Sequence, residues 1–520
     1  MNRTQNATRN IVFGVALKLY QILLPFIMRT AMIYLMGVEY LGLNSLFTSV
    51  LQVLNLAELG AGSAMVYSMY KPIAENDKET ICALLKLYKK YYFLIGLAIA
   101  IIGCLLTPTI PKLISGNIPG NLNIYVLYLL NLAATVMTYW LFAYKNSLLQ
   151  AYQRSDIASK VTILTTSLQY LVQLLVLWLS HNYYFYIIVM LFTQAMANCM
   201  IAFFASHLYP DIVAKGSLSN EMVKSINCRI KDLFTAKLGT TIVNSADTIV
   251  ISTFLGLTVL AMYQNYYFIM SSVMGILTVV FSSCLAGVGN SMVTESEEKN
   301  YNDFRVLTFL INWIVTICMS CFATVYQPFI TIWVGKKYIF SEGIVALFCV
   351  YFYLVTMQQV NGMYKDAAGV WHQDRYRPLI AAMVNLFLNI VLVHFWGIYA
   401  ILLSTIISYV FVSMPWMISN VFKYVFHREW GKFAREFIFY FLCSCLITFL
   451  CYKMCVVTKI MPLWCQVFLN LIISCLLSNF LLFIIYKNNK YYNQMIDLVD
   501  KFTKFKLTRL LCILKKKSLR

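Results

Sequence analysis

The chain has 520 residues, of which 60% are hydrophobic and 12% charged, and its mean hydropathy is +0.71. A soluble chain of this length carries about a quarter charged residues, so a water-soluble globular fold is excluded. Short alternating segments are missing, which argues against a membrane β-barrel. The net charge of +20 needs no nucleic-acid partner, because a basic face toward anionic lipid accounts for it.

Apolar stretches long enough to cross ~30 Å of hydrocarbon fall at 11–36, 41–69, 92–112, 122–144, 158–180, 184–206, 233–255, 259–289, 306–334, 343–364, 379–397, 399–420, 436–456 and 463–486. The first is too long for a signal-peptide core and has no cleavage site behind it, so it reads as a retained span. The pattern predicts an all-α polytopic membrane protein with about fourteen transmembrane helices and no soluble domain. Of the 41 Lys and Arg, Lys112, Lys336, Lys337, Lys453 and Lys459 fall on one side, and Lys18, Arg29 and Lys237 fall within spans. All the others lie on the opposite side, which the positive-inside rule assigns to the cytoplasm together with both termini. The 15 cysteines are scattered, and the single CxxC, Cys318 and Cys321, sits inside an apolar helix. No metal site, haem or disulfide framework is expected, and no cofactor.

A weak internal repeat appears at an offset of 219 residues, placing Lys18 on Lys237, Leu19 on Leu238, Gly37 on Gly256 and Leu41 on Leu260. Parallel six-span repeats with a site between them are one transporter plan. The expected organisation is an N-lobe at 1–209 (spans 1–6), a cytoplasmic linker at 210–232 and a C-lobe at 233–422 (spans 7–12). Spans 13 and 14 follow at 423–486. The tail 487–520 places Met495, Leu498, Val499, Phe502, Phe505 and Leu510 near helical spacing with lysines between, and reads as a basic amphipathic helix on the inner leaflet.

The stretch NIVFGVALKLYQILLPFIMRTAMIYLMG carries two cations inside a span. On a helix Lys18 and Arg29 share one face ~16 Å apart, with Gln21 and Pro25 on the same stripe. A charge at mid-bilayer costs on the order of 2.5–3.5 kcal/mol, so two on one face point to a polar cavity; snorkelling of each cation to the nearer interface is the plainer explanation. Span 7 presents a matching stripe of Lys237, Thr240, Asn244 and Thr248, with the acid Asp247 beside it. Glu58 precedes the small residues Gly60, Ala61, Gly62 and Ser63 in span 2. Glu58 and Asp247 are candidates for ion coupling or for structural ion pairs. His394 reads as a packed core residue. Facing cations with few acids describe a site for an anion, phosphate or diphosphate above all, so the substrate-binding candidates are Arg29, Lys18, Lys237, Gln21 and Asn244.

NIVFG, FIMRTAMIYLMGVEYLGLNSLF and LNLAELGAGSAMVYSMYKPIAENDKETI, with NGMYKDAAGVWHQDRYRPLIAAMVNLFLNIVLVHFWGIYAILLSTIIS, resemble the bacterial polysaccharide-unit flippases of the multidrug/oligosaccharidyl-lipid/polysaccharide superfamily. The resemblance implies two six-helix lobes around a central cavity, plus two extra C-terminal helices. It also implies translocation, without chemistry, of an undecaprenyl-diphosphate-linked oligosaccharide from the inner to the outer leaflet of the bacterial plasma membrane, with O-antigen or capsule synthesis as the setting. It carries a diphosphate-binding role over to Arg29. Asp374, Arg375 and Arg377, in the HQDRYRP loop, are candidates for a cytoplasmic gate or capture site. Expected partners are the lipid-linked oligosaccharide and membrane lipids, with a polysaccharide polymerase and chain-length machinery as candidates. The rival readings are a drug or metabolite exporter of the same superfamily, a lipid II flippase with the same mechanism and, from another class, a polytopic glycan polymerase or acyltransferase.

Overall fold

The computed structural model describes residues 3–58, 61–116, 118, 122–152 and 154–503, without the side chains of residues 3–18 and of a few positions inside helices. Among the described residues the secondary structure is helical, with no strand. In chain order the helices are α1 (Arg3–Leu35), α2 (Val38–Leu54), α3 (Ala61–Ala74), α4 (Lys78–Leu106), α5 (Ile124–Trp140), α6 (Ala143–Ala151), α7 (Ser155–Ser180), α8 (Tyr183–Leu208) and α9 (Asn220–Leu255). They continue with α10 (Leu257–Thr294), α11 (Glu297–Trp333), α12 (Glu342–Ala367), α13 (Arg377–Trp396), α14 (Ile398–Ser408), α15 (Met414–Tyr424), α16 (Gly431–Cys455), α17 (Leu463–Tyr486) and α18 (Lys490–Thr503). Several start where a short polar side chain accepts from an otherwise unpaired backbone N–H. Asp77 takes the Thr80 amide at 3.0 Å, Asn123 that of Val126 at 3.2 Å, and Ser219 that of Met222 at 3.3 Å.

A helix stands on every one of the fourteen apolar stretches. Ten spans among the described residues are long and apolar enough to cross a membrane, eleven when α5 and α6, bent by 48°, count as one. Among the described residues α1 and α9 contribute the shorter apolar segments Leu19–Leu35 and Thr241–Leu255. Span 2 is interrupted by a 3₁₀ turn at Asn55–Glu58. The α5–α6 bend comes at Phe142, whose φ of 58° is costly for a bulky side chain. α12 buries 67% of its most apolar window and α8 only 17%, so α12 is core while α8 offers a hydrocarbon face, with Phe192 and Phe203 exposed, to a bilayer. The chain is a multi-pass membrane protein.

The helices form two compact units. One holds Tyr20–Gln264 and Arg375–Ser404; the other holds Met1–Leu19, Asn265–Asp374 and Thr405–Arg520. Within the first unit α9 and α13 cross so closely that a Cβ on Gly239 would overlap the Pro378 carbonyl. The repeat returns as geometry. Gly37 and Gly256 both take positive φ, 118° and 88°, and donate five residues back, to Met32 at 3.1 Å and Ile251 at 3.0 Å. Each is followed at once by a new helix. Only a residue without Cβ enters that conformation cheaply.

In the second unit α18 sits where the amphipathic tail was expected, but protein covers its apolar face. Tyr491, Tyr492, Met495 and Ile496 are buried against Val306, Phe309, Tyr440 and Tyr486. Phe502, Phe505 and Leu510, and the side chains of Leu498 and Val499, lie outside what the structure describes.

Candidate functional site

Arg29 lies on α1 past Pro25 and is half-buried, while Gln21, two turns earlier, is exposed. The guanidinium is within electrostatic reach of Tyr186 on α8. Tyr186 stacks on Tyr183 with ring centroids 5.6 Å apart, and Tyr183 meets Tyr40 edge-on at 5.4 Å and donates to Asn44 Oδ1 at 3.3 Å. Behind them Gln173 donates to the Tyr186 carbonyl at 3.1 Å, and Thr193 to Gln169 at 3.1 Å. Tyr186 thus connects Arg29 of α1 to a set of phenols and amides that joins α2, α7 and α8. The tyrosines carried a sequence signal, the run YYFY opening α8, that periodicity alone does not separate from core. The side chains of Lys18, Lys237, Asn244 and Thr240 lie outside the described residues.

The two candidate acids both sit at special places in the first unit. Glu58 ends the 3₁₀ turn that breaks span 2, and Tyr139 of α5 donates to its Oε2 at 2.6 Å. Tyr92 of α4 stacks on Tyr139 at 6.2 Å. Asp247 is buried on α9 and accepts from Asn389 Nδ2 of α13 at 2.6 Å; the same amide reaches Asn385 Oδ1 at 3.3 Å. The next residue, Thr248, accepts from Gln264 of α10 at 3.0 Å. A carboxylate and two carboxamides thus share one buried polar patch, in keeping with the rule that buried polar groups are hydrogen-bonded. His394 on α13 stacks edge-on against Phe254 at 4.8 Å but is exposed, so it is not the core residue that its place in an apolar span suggests.

The HQDRYRP loop divides at the unit boundary. Asp374 is buried, pairs with Lys365 at 3.3 Å and accepts from Asn420 Nδ2 at 3.3 Å, so it braces the α12–α13 loop against α12 and α15. Lys365 also pairs with Asp366 at 2.7 Å, a partnership the sequence did not announce. Arg375 and Arg377 belong to the other unit; the Arg375 guanidinium lies 4.5 Å from the Tyr376 ring centroid.

At the opposite end of the first unit the repeat-related turns touch. Thr258 donates to Glu39 at 3.3 Å across a separation of 219 residues, the offset of the repeat itself. Ser115 N donates to the Ser252 carbonyl at 3.0 Å, and Ser252 Oγ to the Leu113 carbonyl at 2.7 Å. Gly42 comes so close to the Leu257 carbonyl that a Cβ would overlap it. The ends of α2, α4, α9 and α10 on the side assigned to the exterior are thereby tied together.

No family model and no curated protein matches the chain. Solved structures do match in fold. Lipid II flippase MurJ in an inward closed conformation superposes with TM-score 0.67 at 15% identity, covering 92% of this chain and 99% of that one. An inward-facing multidrug resistance MATE family transporter of the MOP superfamily gives TM-score 0.61 at 13% identity, covering 76% and 93%. MATE in the bent conformation gives 0.54 at 13%, covering 81% and 98%. The class defined by the architecture is therefore a polytopic helical protein with the fold of these transporters. Within that class the fold is shared with a lipid flippase over nearly the whole length of both chains.

Proposed function

We propose that this chain is a flippase that carries undecaprenyl-diphosphate-linked oligosaccharide repeat units from the inner to the outer leaflet of the bacterial plasma membrane, for cell-surface polysaccharide synthesis. Two six-helix lobes alternate in opening to either side, and both termini are cytoplasmic. The observation that carries the reading is Arg29: a half-buried cation within an apolar helix, in electrostatic reach of Tyr186 on α8 instead of at a helix end. Guanidinium recognises phosphate oxygens, and phenols and amides suit a hydroxyl-rich cargo. Lys18, Lys237, Gln21 and Asn244 complete the anion site, and Arg375 and Arg377 capture the headgroup at the inner mouth. Moving two negative charges outward across an interior-negative membrane gains ~4.6 kcal/mol per 100 mV, so the potential can drive the step. Glu58, at a helix break, and Asp247, in its carboxamide patch, are the groups placed to couple an ion.

The second reading, a drug or metabolite exporter, draws on the fold shared with multidrug resistance transporters and on these same two acids. The deciding experiment is Arg29→Ala in a polysaccharide-producing host. Loss of a charge-assisted contact worth about 1.5–3 kcal/mol predicts a ~10–100-fold fall in export at normal protein level. Lipid-linked intermediate should accumulate, and Arg29→Lys should restore part of the export. Unchanged surface glycan with altered efflux of cationic drugs would overturn the flippase reading in favour of the exporter.

A further inference from the structure

The second unit holds a site that the transport reading does not use, at the elbow where α16 begins and α17 turns into α18. Its floor is Arg305 of α11, only 4% exposed, which forms an ion pair with Glu436 of α16 and donates to Tyr301 OH at 2.9 Å. The rings of Tyr491, Phe433 and Tyr301 surround the guanidinium at 5.0, 5.6 and 5.7 Å. Floor and walls are thus fixed by a charge pair that α11, α16 and α18 build together.

Two adjoining cavities of about 560 and 520 Å³ share Lys432, Glu436 and Asn489; Arg305 lines the second, where Arg428 and Lys490 stand beside Glu298 and Glu429. Lys432 and Arg435, on the first turn and a half of α16, are exposed at the rim and have no acidic partner among the described residues. α16 starts after Trp430 with no side chain capping its first amides, so its positive dipole end faces the same opening. One helical turn deeper the character changes. Phe439, 52% exposed, and Ile485, 39% exposed, form an apolar wall on the lipid-facing side of α16 and α17. A cationic rim above a hydrocarbon wall, at the membrane end where basic residues are concentrated, matches a ligand with a phosphate at one end and an acyl or prenyl chain at the other.

We propose that this elbow binds the phosphate headgroup of an anionic membrane lipid, with Lys432 and Arg435 holding the phosphate and the chain lying along Phe439 and Ile485. Arg305 positions the walls and does not touch the lipid. The inference rests on the membrane orientation given above but not on transport, so a failure of one leaves the other standing.

The test uses the full chain in nanodiscs, with bound lipid read by native mass spectrometry and by quenching of a brominated phosphatidylglycerol. Wild type should retain phosphatidylglycerol over phosphatidylcholine. Lys432→Glu with Arg435→Glu should lower that preference at least about thirtyfold, the effect of removing two basic groups near an anionic surface. An unchanged melting temperature confirms that the double variant is folded, and Phe439→Trp in the wild-type background reports chain contact without altering charge. Competition identifies the source: displacement by phosphatidylglycerol supports an ordinary phospholipid, and displacement by undecaprenyl phosphate alone supports the carrier lipid. Displacement by neither, or equal retention of both phospholipids in wild type and variant, overturns the proposal.

Discussion

The seam joining α11, α16 and α17 and the crossing of α9 with α13 solve the same problem in opposite ways. Along the seam, polar residues recur every four positions on α11. Asn312 accepts from Ser444 at 3.4 Å and, on its α12 side, from Tyr353 OH at 2.7 Å, and Thr316 meets Ser444 at 2.7 Å. Ser320 meets Thr448 at 3.2 Å, and Thr324 meets Ser474 at 2.8 Å. In lipid, where hydrocarbon gives helices no hydrophobic reason to associate, such hydrogen bonds and close packing join them. At the α9–α13 crossing the backbones approach directly at Gly239 and Pro378, and the polar groups nearby, Asp247, Asn385 and Asn389, concentrate in one patch. The first arrangement shares polarity evenly and fixes three helices in register. The second keeps a carboxylate in a small isolated group, and it lies in the unit that also contains the broken span, the bent span and Arg29.

The sharpest way to break the comparison is to remove a charge from the well-fastened side. Arg305→Ala leaves Glu436 without its partner beneath a ring of aromatic residues. Breaking a buried pair from one side costs about 3–5 kcal/mol, and because Glu436 is one-third exposed the low end of that range is expected. The melting temperature in detergent should fall substantially, and α18 should become the first segment open to protease. Arg305→Met with Glu436→Leu should recover most of the loss, since the cost lies in the unpaired charge. A double variant as weak as the single would mean that the pair itself holds the fold.

On the other side the fragile element is a missing side chain. Gly239→Ala forces a methyl into the Pro378 carbonyl, and backbone cannot move aside as a flexible side chain can. Overpacking of this kind costs about 1–3 kcal/mol. It should also push α13 from α9 and lengthen the Asp247–Asn389 contact, read as faster labelling of a cysteine placed at the buried Ala382 of α13. The same substitution at Gly362, where the nearest atoms are the flexible end of Met417 at 4.0 Å, should be close to neutral.

Much of this was legible in the chain because hydrocarbon length is a strong signal. Every apolar stretch carries a helix, and the offset of 219 led to two turns with the same glycine geometry. The interruptions were not legible. Asn55–Glu58 lies in a run that reads as one continuous span, and the α5–α6 bend sits at Leu141 and Phe142, where neither Gly nor Pro marks it. The tail showed its amphipathic face but not what covers it, since lipid and the Tyr440–Tyr486 cluster are equally apolar to the pattern. For the site, Arg29 and Asp247 stood out as charges in hydrocarbon, whereas Tyr183, Tyr186 and Lys365 acquire meaning only from neighbours distant in sequence. Asp374 stands out in the sequence only as a charge in the HQDRYRP loop; its pairing with Lys365 comes from the fold.

The smallest effect tests whether the first unit is also fastened at its exposed end. The segment after α8 lies over the start of α4, where Lys78 donates to Asp211 at 2.7 Å and Lys86 to the Gly216 carbonyl at 3.0 Å. The hydrogen bond and charge of Lys78 hold the Asp211 carboxyl below its ordinary value. A depressed carboxylate stabilises above its unfolded pKa, near 3.9, and that contribution disappears as pH falls through the lowered value. Both groups are about two-thirds exposed, so screening leaves the clamp weak and salt-sensitive. Amide exchange at Asp211–Gly216, corrected for its intrinsic pH dependence, should be flat from pH 5 to 8 and at most about twofold faster in Lys78→Met. Acidification below pH 4 should remove the difference between variant and wild type. If the two differ equally at every pH, the lysine acts through its stem on α4, and the ion pair contributes nothing to the clamp.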